Sequence, residues 1–302
     1  EPQLRRDEEF WFEDGSIVLA ARDVEFRVYK RVLADHSIVF ADMFTFPQPA
    51  SQATAVSESC PNVCLDDSPE DLRHVLRALF PRKGATFIPL ELQEPTFDLI
   101  SAYARLGHKY QIDDLLDQSL AWLKKQFTSN FDGWCEQPTF PFDNQSHYAI
   151  GIVNFARLTQ CHSILPTAMM VSCYNGGEPL VRGFRRQDGT QERLSEDDLI
   201  LCIEGKNALT QATATCVLSA FTPWDDRLHP SCTRGMHHLL HLYRTDPELV
   251  AGVHPFSPPD CYLHSAFLED VSICSQCLTH LRRRLRTEQV KLWNRLPDVL
   301  GL

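Results

Sequence analysis

The sequence predicts an α+β fold in which helices dominate over one small sheet. Ile17, Leu19 and Ala21 share one parity, and Val24, Phe26 and Val28 then alternate with polar residues, which is typical of strands with one buried face. From Lys30 onward the apolar residues recur every three or four positions, which is typical of helices. A small sheet followed by consecutive amphipathic helices indicates a helical layer that packs against the sheet.

The first two predicted strands form a hairpin. The polar pair Arg22-Asp23 separates two short runs in which alternate residues are apolar. Such runs on either side of a short turn predict antiparallel strands that share one buried face. The residues of that face are Ile17, Leu19, Ala21, Val24, Phe26 and Val28.

Two short helices, a strand and a longer helix are predicted next. Helical spacing continues to Phe44, and a loop rich in Pro and Ser then leads to Val63 and Leu65, which predict a short strand. The sequence Ser68-Pro69-Glu70-Asp71 predicts a helix start. Ser is a good cap, Pro suits the first turn, and acidic residues favour the positive helix end.

The remainder of the N-terminal half predicts one more strand and two helices. Residues 87–90 predict an edge strand, because Pro89 has no N–H to donate to a central ladder. Apolar residues at helical spacing then predict helices within residues 97–107 and 112–127.

The segment from Tyr29 to Phe44 resembles the BTB/POZ domain, a protein-interaction module. In that family a strand pair precedes the pattern His-Lys-x-x-Leu-Ala-x-x-Ser-x-x-Phe-x-x-Met-Phe. Tyr29 stands here in place of the His, and the pattern is matched at Lys30, Leu33, Ala34, Ser37, Phe40, Met43 and Phe44. The resemblance implies a BTB/POZ-like domain over residues 10–128. The polar residues 1–9 before it predict a flexible N-terminus.

The same resemblance implies surfaces for protein partners. BTB adaptors of cullin-type ubiquitin ligases often carry an apolar-x-Glu motif before the third strand, and Val56-Ser57-Glu58 lies at that place. Met43, Phe44 and Phe46 would complete an apolar docking patch, although core burial is the alternative for the first two. The resemblance therefore implies a homodimer or a hetero-association, with a cullin scaffold as one candidate partner.

An aromatic cluster, Phe10-Trp11-Phe12, precedes the first predicted strand of the hairpin. Three exposed aromatic side chains would form an unusual apolar patch on a soluble protein. Two interpretations stand equal at this point: the cluster caps the core of its own domain, or it is buried against a second subunit.

The C-terminal half predicts mainly helices. Gly, Pro, Asp and Asn are frequent at residues 129–146, which predicts a linker, and residues 147–302 form the predicted helical domain. Helical spacing covers residues 149–158 and 164–174, and Asp188-Gly189 is a hairpin-turn signal. Ser195 and Asp198 predict a capping box for a helix that continues to Ala220.

This half is similar, more loosely, to the C-terminal part of BTB proteins that are common in fungi. Those proteins often have an Asp-Gly turn, then a Cys-x-x-Cys helix and a Trp-x-x-Leu-Pro ending. The matching residues here are Asp188, Gly189, Cys274, Cys277, Trp293, Leu296 and Pro297. No defined activity follows from this resemblance.

Cysteine and histidine spacing predicts a structural zinc site as one of two alternatives. Cys261-x-x-His264 and Cys274-x-x-Cys277 have the residue types and pair spacing of tetrahedral zinc ligands. The other alternative is that the thiols of Cys274 and Cys277 pack inward from a helix as small apolar side chains. A weaker alternative ligand set is Cys232 with His237 and His238.

The sequence contains none of the motifs that we searched for as signs of catalysis. There is no nucleophile elbow, phosphate-binding loop, dinucleotide fingerprint or zinc-protease helix. Cys161 and His162 are adjacent, but a nucleophile and its base are seldom chain neighbours. We therefore expect a protein that is not an enzyme.

Composition restricts the partners and the compartment. The formal net charge is −11, which is unfavourable for direct nucleic-acid binding. The sequence contains no run of about 20 apolar residues, which is the length that a membrane-spanning helix needs. Eleven cysteines spread along a long chain predict free thiols in a reducing cytoplasm or nucleus. The basic run at residues 282–286 favours a solvated helix face, and the alternatives are a nuclear-import signal or a binding patch for an acidic partner.

Together these patterns and the resemblance predict a non-enzymatic interaction protein that associates through its BTB/POZ-like domain. A more specific version of this prediction is that the protein is a substrate adaptor for a cullin-type ubiquitin ligase. The alternative is a regulatory protein with structural zinc that acts through partners in transcription. No other cofactor is predicted.

Overall fold

A small four-stranded sheet begins the fold. The computed structural model describes residues 4–45, 60–81, 94–137, 141–221, 229–246, 248–251, 254–263 and 273–302. The strands are β1 (Arg5–Trp11), β2 (Ile17–Ala21), β3 (Val24–Val28) and β4 (Asn62–Leu65), in the spatial order β1-β3-β2-β4. The helix-dominated α+β class is thus confirmed, and the edge strand predicted at residues 87–90 lies outside the described residues.

The hairpin has the predicted pairing. Strands β2 and β3 are antiparallel, with Ile17 opposite Val28 and Ala21 opposite Val24, and Arg22 turns the chain with a positive φ of 51°. Strand β3 alternates between buried and half-buried residues as predicted, whereas all five residues of β2 are buried. Strand β2 pairs with β3 on one side and β4 on the other. Both edges of β2 are therefore paired, and the burial of all five residues shows that both of its faces are covered as well.

The prediction of a flexible segment at residues 1–9 is wrong for residues 5–9. These residues belong to β1, which runs parallel to β3 at the edge of the sheet. The Asp7 side chain is 5% exposed, and it accepts hydrogen bonds from the backbone N–H of Phe10 and from Arg73 Nε at 2.6 Å. Burial opposes ionisation, but these bonds lower the pKa of Asp7. Because Asp7 is held by Arg73, which is 66 positions away, the polar sequence of β1 by itself did not predict a strand.

Five helices cover the N-terminal half within the described residues. They are α1 (Lys30–His36), α2 (Ile38–Thr45), α3 (Pro69–Leu79), α4 (Phe97–Tyr110) and α5 (Asp113–Gln126). The predicted cap of α3 is confirmed, because Ser68 Oγ accepts the backbone N–H of Asp71 and Pro69 opens the helix.

The segment predicted as a linker, residues 129–146, contains two short helices, α6 (Phe131–Cys135) and α7 (Pro141–Asn144). Asn130 Oδ1 caps α6 by accepting the N–H of Gly133 at 2.7 Å. Phe131 is 7% exposed and packs on the rings of Phe256 and Trp293. One of the polar residues that predicted a linker is therefore the cap of α6, and aromatic residues far away in the sequence hold this helix in place.

The C-terminal half is helical, with one small hairpin. The predicted helices at residues 149–158 and 164–174, the Asp188-Gly189 turn and the long helix that begins after Ser195 are confirmed. The described elements are α8 (Ala149–Leu158), α9 (Leu165–Cys173), α10 (Gly177–Arg182), β5 (Phe184–Arg185), β6 (Gln191–Glu192), α11 (Glu196–Phe221), α12 (Pro230–Thr245), α13 (Glu248–Ala251), α14 (Pro259–Leu263), α15 (Ser275–Asn294) and α16 (Leu296–Leu300).

Two hydrophobic cores lie in the described part of the chain. The first core joins the sheet and α1–α5 to α8, α9 and α16, so it crosses the predicted domain boundary. The second core joins the end of α11 to α12, α13, α14 and the first half of α15. The N-terminal half is thus packed directly against α8 and α9, whose apolar faces complete the first core.

A buried ionic cluster ties the β5–β6 hairpin to the N-terminal helices. The guanidinium of Arg186, in the hairpin turn, donates to Asp71 at 2.5 Å and to Asp98 at 3.3 Å. All three residues are at most 9% exposed. Burial raises the pKa of the Asp71 carboxyl, and the bond from Arg186 opposes that rise. Asp71 lies in the first turn of α3 and Asp98 in that of α4, so one side chain links three elements.

Replacing Arg186 with Met is expected to lower the free energy of unfolding by about 3–5 kcal/mol, because two buried carboxylates lose their counter-charge. The control is Arg182→Ala, which removes an exposed pair with Glu178 and is expected to cost about 0.5 kcal/mol or less. Urea unfolding followed by tryptophan fluorescence measures both. Equal, small losses for the two variants would show that the buried cluster contributes little.

Candidate metal centre

Four potential metal ligands converge at one edge of the second core. His229, Cys232, Cys274 and Cys277 each offer one ligand atom, and these atoms all lie within 4.8 Å of one another. The cluster brings together two segments of the chain that are more than 40 positions apart in the sequence. It is compatible with a structural zinc ion.

Both pairs of ligands are positioned by the start of a helix. His229 is the N-cap of α12, and Cys232 lies in the first turn of that helix. Cys274 is likewise the N-cap of α15, with Cys277 in the first turn. A cap residue and the residue three positions later lie on the same side of a helix end. The x-x spacing in each pair therefore places two side chains next to each other.

The ligand atoms are nearly as close together as in tetrahedral coordination. His229 Nδ1 lies 3.1 Å from Cys274 Sγ and 3.9 Å from Cys277 Sγ, and the Cys232 sulfur accepts the backbone N–H of Cys274 at 3.3 Å. Ligands around a tetrahedral zinc ion are separated by about 3.5–3.8 Å, given zinc–ligand bonds of about 2.0–2.3 Å. Three sulfurs and one imidazole are donors that zinc accepts. Four protein ligands leave no open position, which is typical of a structural site.

The environment of the sulfurs differs around the cluster. Cys232 and Cys277 are 1% and 4% exposed, whereas Cys274 is half-buried and His229 is exposed. Burial raises the pKa of the Cys277 thiol. The backbone N–H of Cys277 and the His229 ring lower the pKa of the Cys274 thiol to about 6. The cluster thus has two ligands in the core and two at the surface.

The candidate cluster contains one of the two predicted ligand pairs, and it leaves out Cys261 of the other. Cys274 and Cys277 belong to the cluster, while Cys261 lies in α14 with its side chain exposed and is not part of it. His264 lies outside the described residues. Cys232 of the alternative set is a member, but His237 and His238 are exposed on α12 and are not. Helical geometry explains this, because positions five and six after Cys232 face away from it.

Sequence reasoning missed His229. The signal was present, because His229-x-x-Cys232 has the same spacing as Cys274-x-x-Cys277. The Pro- and His-rich composition around it indicated irregular structure and concealed the helix start. Cys274 also lies before its helix as a cap, whereas the sequence suggested that it lies inside one.

The aromatic cluster near the N-terminus packs largely on its own chain. Phe10 is 2% exposed in the first core, and Phe12 stacks on Tyr29 with ring centroids 5.2 Å apart. Trp11 is half-buried beneath the guanidinium of Arg6, at 4.5 Å. Of the two interpretations, the first therefore applies to Phe10 and Phe12, which pack on the core of their own chain. The Phe10 side chain is not available to a second subunit.

The predicted docking patch is only partly described. Met43 and Phe44 are half-buried on α2, and Phe44 stacks on Phe40 at 5.8 Å. Phe46, Val56 and Glu58 lie outside the described residues. Ile38, which opens α2, is 61% exposed and is the most exposed large apolar side chain among the described residues; no pattern in the sequence singled it out.

The basic run at residues 282–286 has partners within the chain. Arg282 pairs with Asp260 at 2.6 Å, Arg284 donates to the carbonyl of Ser219 at 2.8 Å, and Arg286 donates to Asp132 at 2.6 Å. These contacts favour a structural role for the run, because the three guanidinium groups already bind other parts of the fold.

Comparison with known proteins adds no assignment. No protein-family model matches this chain, and a search of curated proteins finds no significant match. Among the described helices, none combines the length and the apolar character that a membrane crossing requires.

Proposed function

We propose that this chain is a non-enzymatic protein–protein interaction protein that associates through its BTB/POZ-like N-terminal half. One observation carries the proposal. After β1, the described elements follow the order strand pair, two short helices, strand, capped helix and two long helices, and the residues that match the family pattern lie at the start of α1, on α1 and α2, or between them at Ser37. Adaptor function for a cullin-type ubiquitin ligase is a narrower form of this proposal, which depends on Val56 and Glu58.

The exposed face of α2 supports the proposal with a specific surface. Ile38 is 61% exposed, and Val39 and Met43 on the same helix are half-buried. Asp42, which is exposed, follows Ile38 by four positions and so lies on the same side of α2, and Asp35 is exposed at the end of α1. An apolar centre with a polar rim is the usual composition of a protein interface. Ile38 is therefore the described side chain that we assign to the centre of the contact.

Wild-type protein is expected to form dimers, and Ile38→Asp is expected to weaken them about ten-fold or more, which corresponds to about 1.4 kcal/mol. Aspartate at the first position of a helix is favourable for the helix itself, so the fold should persist. The matched control is Val181→Asp, which places the same charge at a side chain that is 58% exposed on α10. Light scattering coupled to size exclusion, over a concentration series, measures the association.

Two results would count against this surface. A wild-type chain that stays monomeric at every concentration would remove self-association, and equal effects of the two variants would show that α2 has no special part in it. Circular dichroism of each variant separates lost association from lost fold.

We also propose that His229, Cys232, Cys274 and Cys277 bind one structural zinc ion. The ion would supply a cross-link between the starts of α12 and α15 without taking part in a reaction. This favours a second candidate function, in which the chain is a zinc-containing regulatory protein that acts through partners in transcription. The two functions are compatible, because both require association with other macromolecules and no catalysis.

Purified protein is expected to contain one zinc ion per chain, and Cys232→Ser or Cys277→Ser is expected to lose most of it. The control is Cys261→Ser, which alters a cysteine of the same region that lies outside the cluster and should leave the metal content unchanged. Elemental analysis after gel filtration measures the stoichiometry. The wild type is also incubated with excess zinc, and the unbound zinc is then removed. If the protein still contains much less than one zinc ion per chain, the proposed site is rejected.

A further inference from the structure

The second core is small within the described residues, and the metal cluster lies beside it, because Met236 and Leu281 of this core follow Cys232 and Cys277 by four positions. Among the described residues the second core contains twelve buried ones, of which four come from the end of α11: Cys216, Val217, Ala220 and Phe221. The remaining eight come from α12, α13, α14 and α15. The first core is several times larger. Small cores commonly need a disulfide or a metal ion for stability, and none of the eleven cysteines forms a disulfide.

Two of the metal ligands continue the buried stripes of their helices. On α12, Cys232 is followed at helical spacing by Met236, Leu239 and Tyr243, all of which are buried in the second core. On α15, Cys277 is followed by Leu281 and Leu285 in the same way. The cluster therefore forms the end of the second core, and a metal ion held there would fix both stripes in register.

Buried polar side chains separate the second core from the first along both long helices. On α11, Thr213 is 1% exposed and lies between Leu209 of the first core and Cys216 of the second. On α15, Gln289 is fully buried between Leu285 and Trp293, and its amide donates to the carbonyl of Ser257 at 2.7 Å. Apolar contact is thus interrupted where the two cores meet.

Helix electrostatics favour an occupied site. The starts of α12 and α15 converge on the cluster, and helix N-termini carry partial positive charge. A divalent zinc ion with three thiolates and a neutral imidazole has a net negative charge, so it would be stabilised by both helix ends. Metal-binding free energy of this kind becomes folding free energy for the segments that it joins.

Building on the proposed zinc site, we infer that the metal controls the folding of one lobe and not of the whole chain. This metal lobe consists of the end of α11, residues 229–263 as far as they are described, and residues 273–285. With zinc bound, the lobe is ordered and its core is closed. Without zinc, α12 and the first half of α15 lose their packing, while the sheet and the first core remain folded.

Hydrogen exchange of the full-length protein tests the inference. Removing zinc with a chelator is expected to speed amide exchange by about ten-fold or more in residues 232–243 and 277–285, because opening of the lobe then costs little free energy. Exchange in residues 17–28 and 149–158, which belong to the first core, should not change. Adding zinc back to the same sample should restore protection.

The Cys261→Ser variant, which keeps all four ligands, should behave as the wild type does before and after chelation, and Cys277→Ser should resemble the chelated wild type. The possible outcomes are distinguishable. If zinc does not bind, the proposed site fails and the inference fails with it. Two results would overturn the inference of a metal-controlled lobe while leaving the zinc site intact. In the first, zinc removal changes amide exchange only at the four ligands; in the second, it speeds exchange in residues 17–28 as much as in the lobe.

Discussion

A buried arginine between two carboxylates joins the two halves of this sequence. Arg186 lies in the turn of the β5–β6 hairpin, and Asp71 and Asp98 lie in the first turns of α3 and α4. None of these charges is stable in a buried position without the others. The hairpin and the two helices must therefore become buried together, so the N-terminal half and the segment after α9 form one structure and not two independent domains.

The backbone of the hairpin is adapted to this close approach. Gly183 has a φ of 71°, and a β-carbon built there would lie 1.8 Å from the carbonyl oxygen of Glu192, so only glycine fits. The Glu192 carboxylate accepts hydrogen bonds from Arg105 at 2.6 Å and from Asn154. The hairpin thus also links α4 to α8. Helix α11 begins directly after the hairpin and contributes its last residues to the second core, so one continuous helix connects the hairpin to that core.

Features with a local cause were predictable from the sequence. The β2–β3 hairpin, the Ser68 cap and the Asp188-Gly189 turn each depend on residues within a few positions of one another. Strand β1 was not predictable, because Asp7 is fixed by Arg73, which is 66 positions away. For the candidate site, spacing identified Cys274 and Cys277, whereas their partners could not be chosen among several His and Cys residues without knowledge of which helix starts meet.

The cysteines show why geometry is needed to separate packing from metal binding. Cys173 and Cys202 are fully buried in the first core, where the Cys202 thiol contacts the sulfur of Met169 at 3.1 Å, and they act there as small apolar side chains. Cys232 and Cys277 are almost equally buried, but their sulfurs lie beside an imidazole, a third cysteine and two helix starts. Burial alone therefore does not distinguish the two roles. The convergence of N-cap residues from two helices makes this cluster a candidate metal site, and it can be recognised only when both helices are in place.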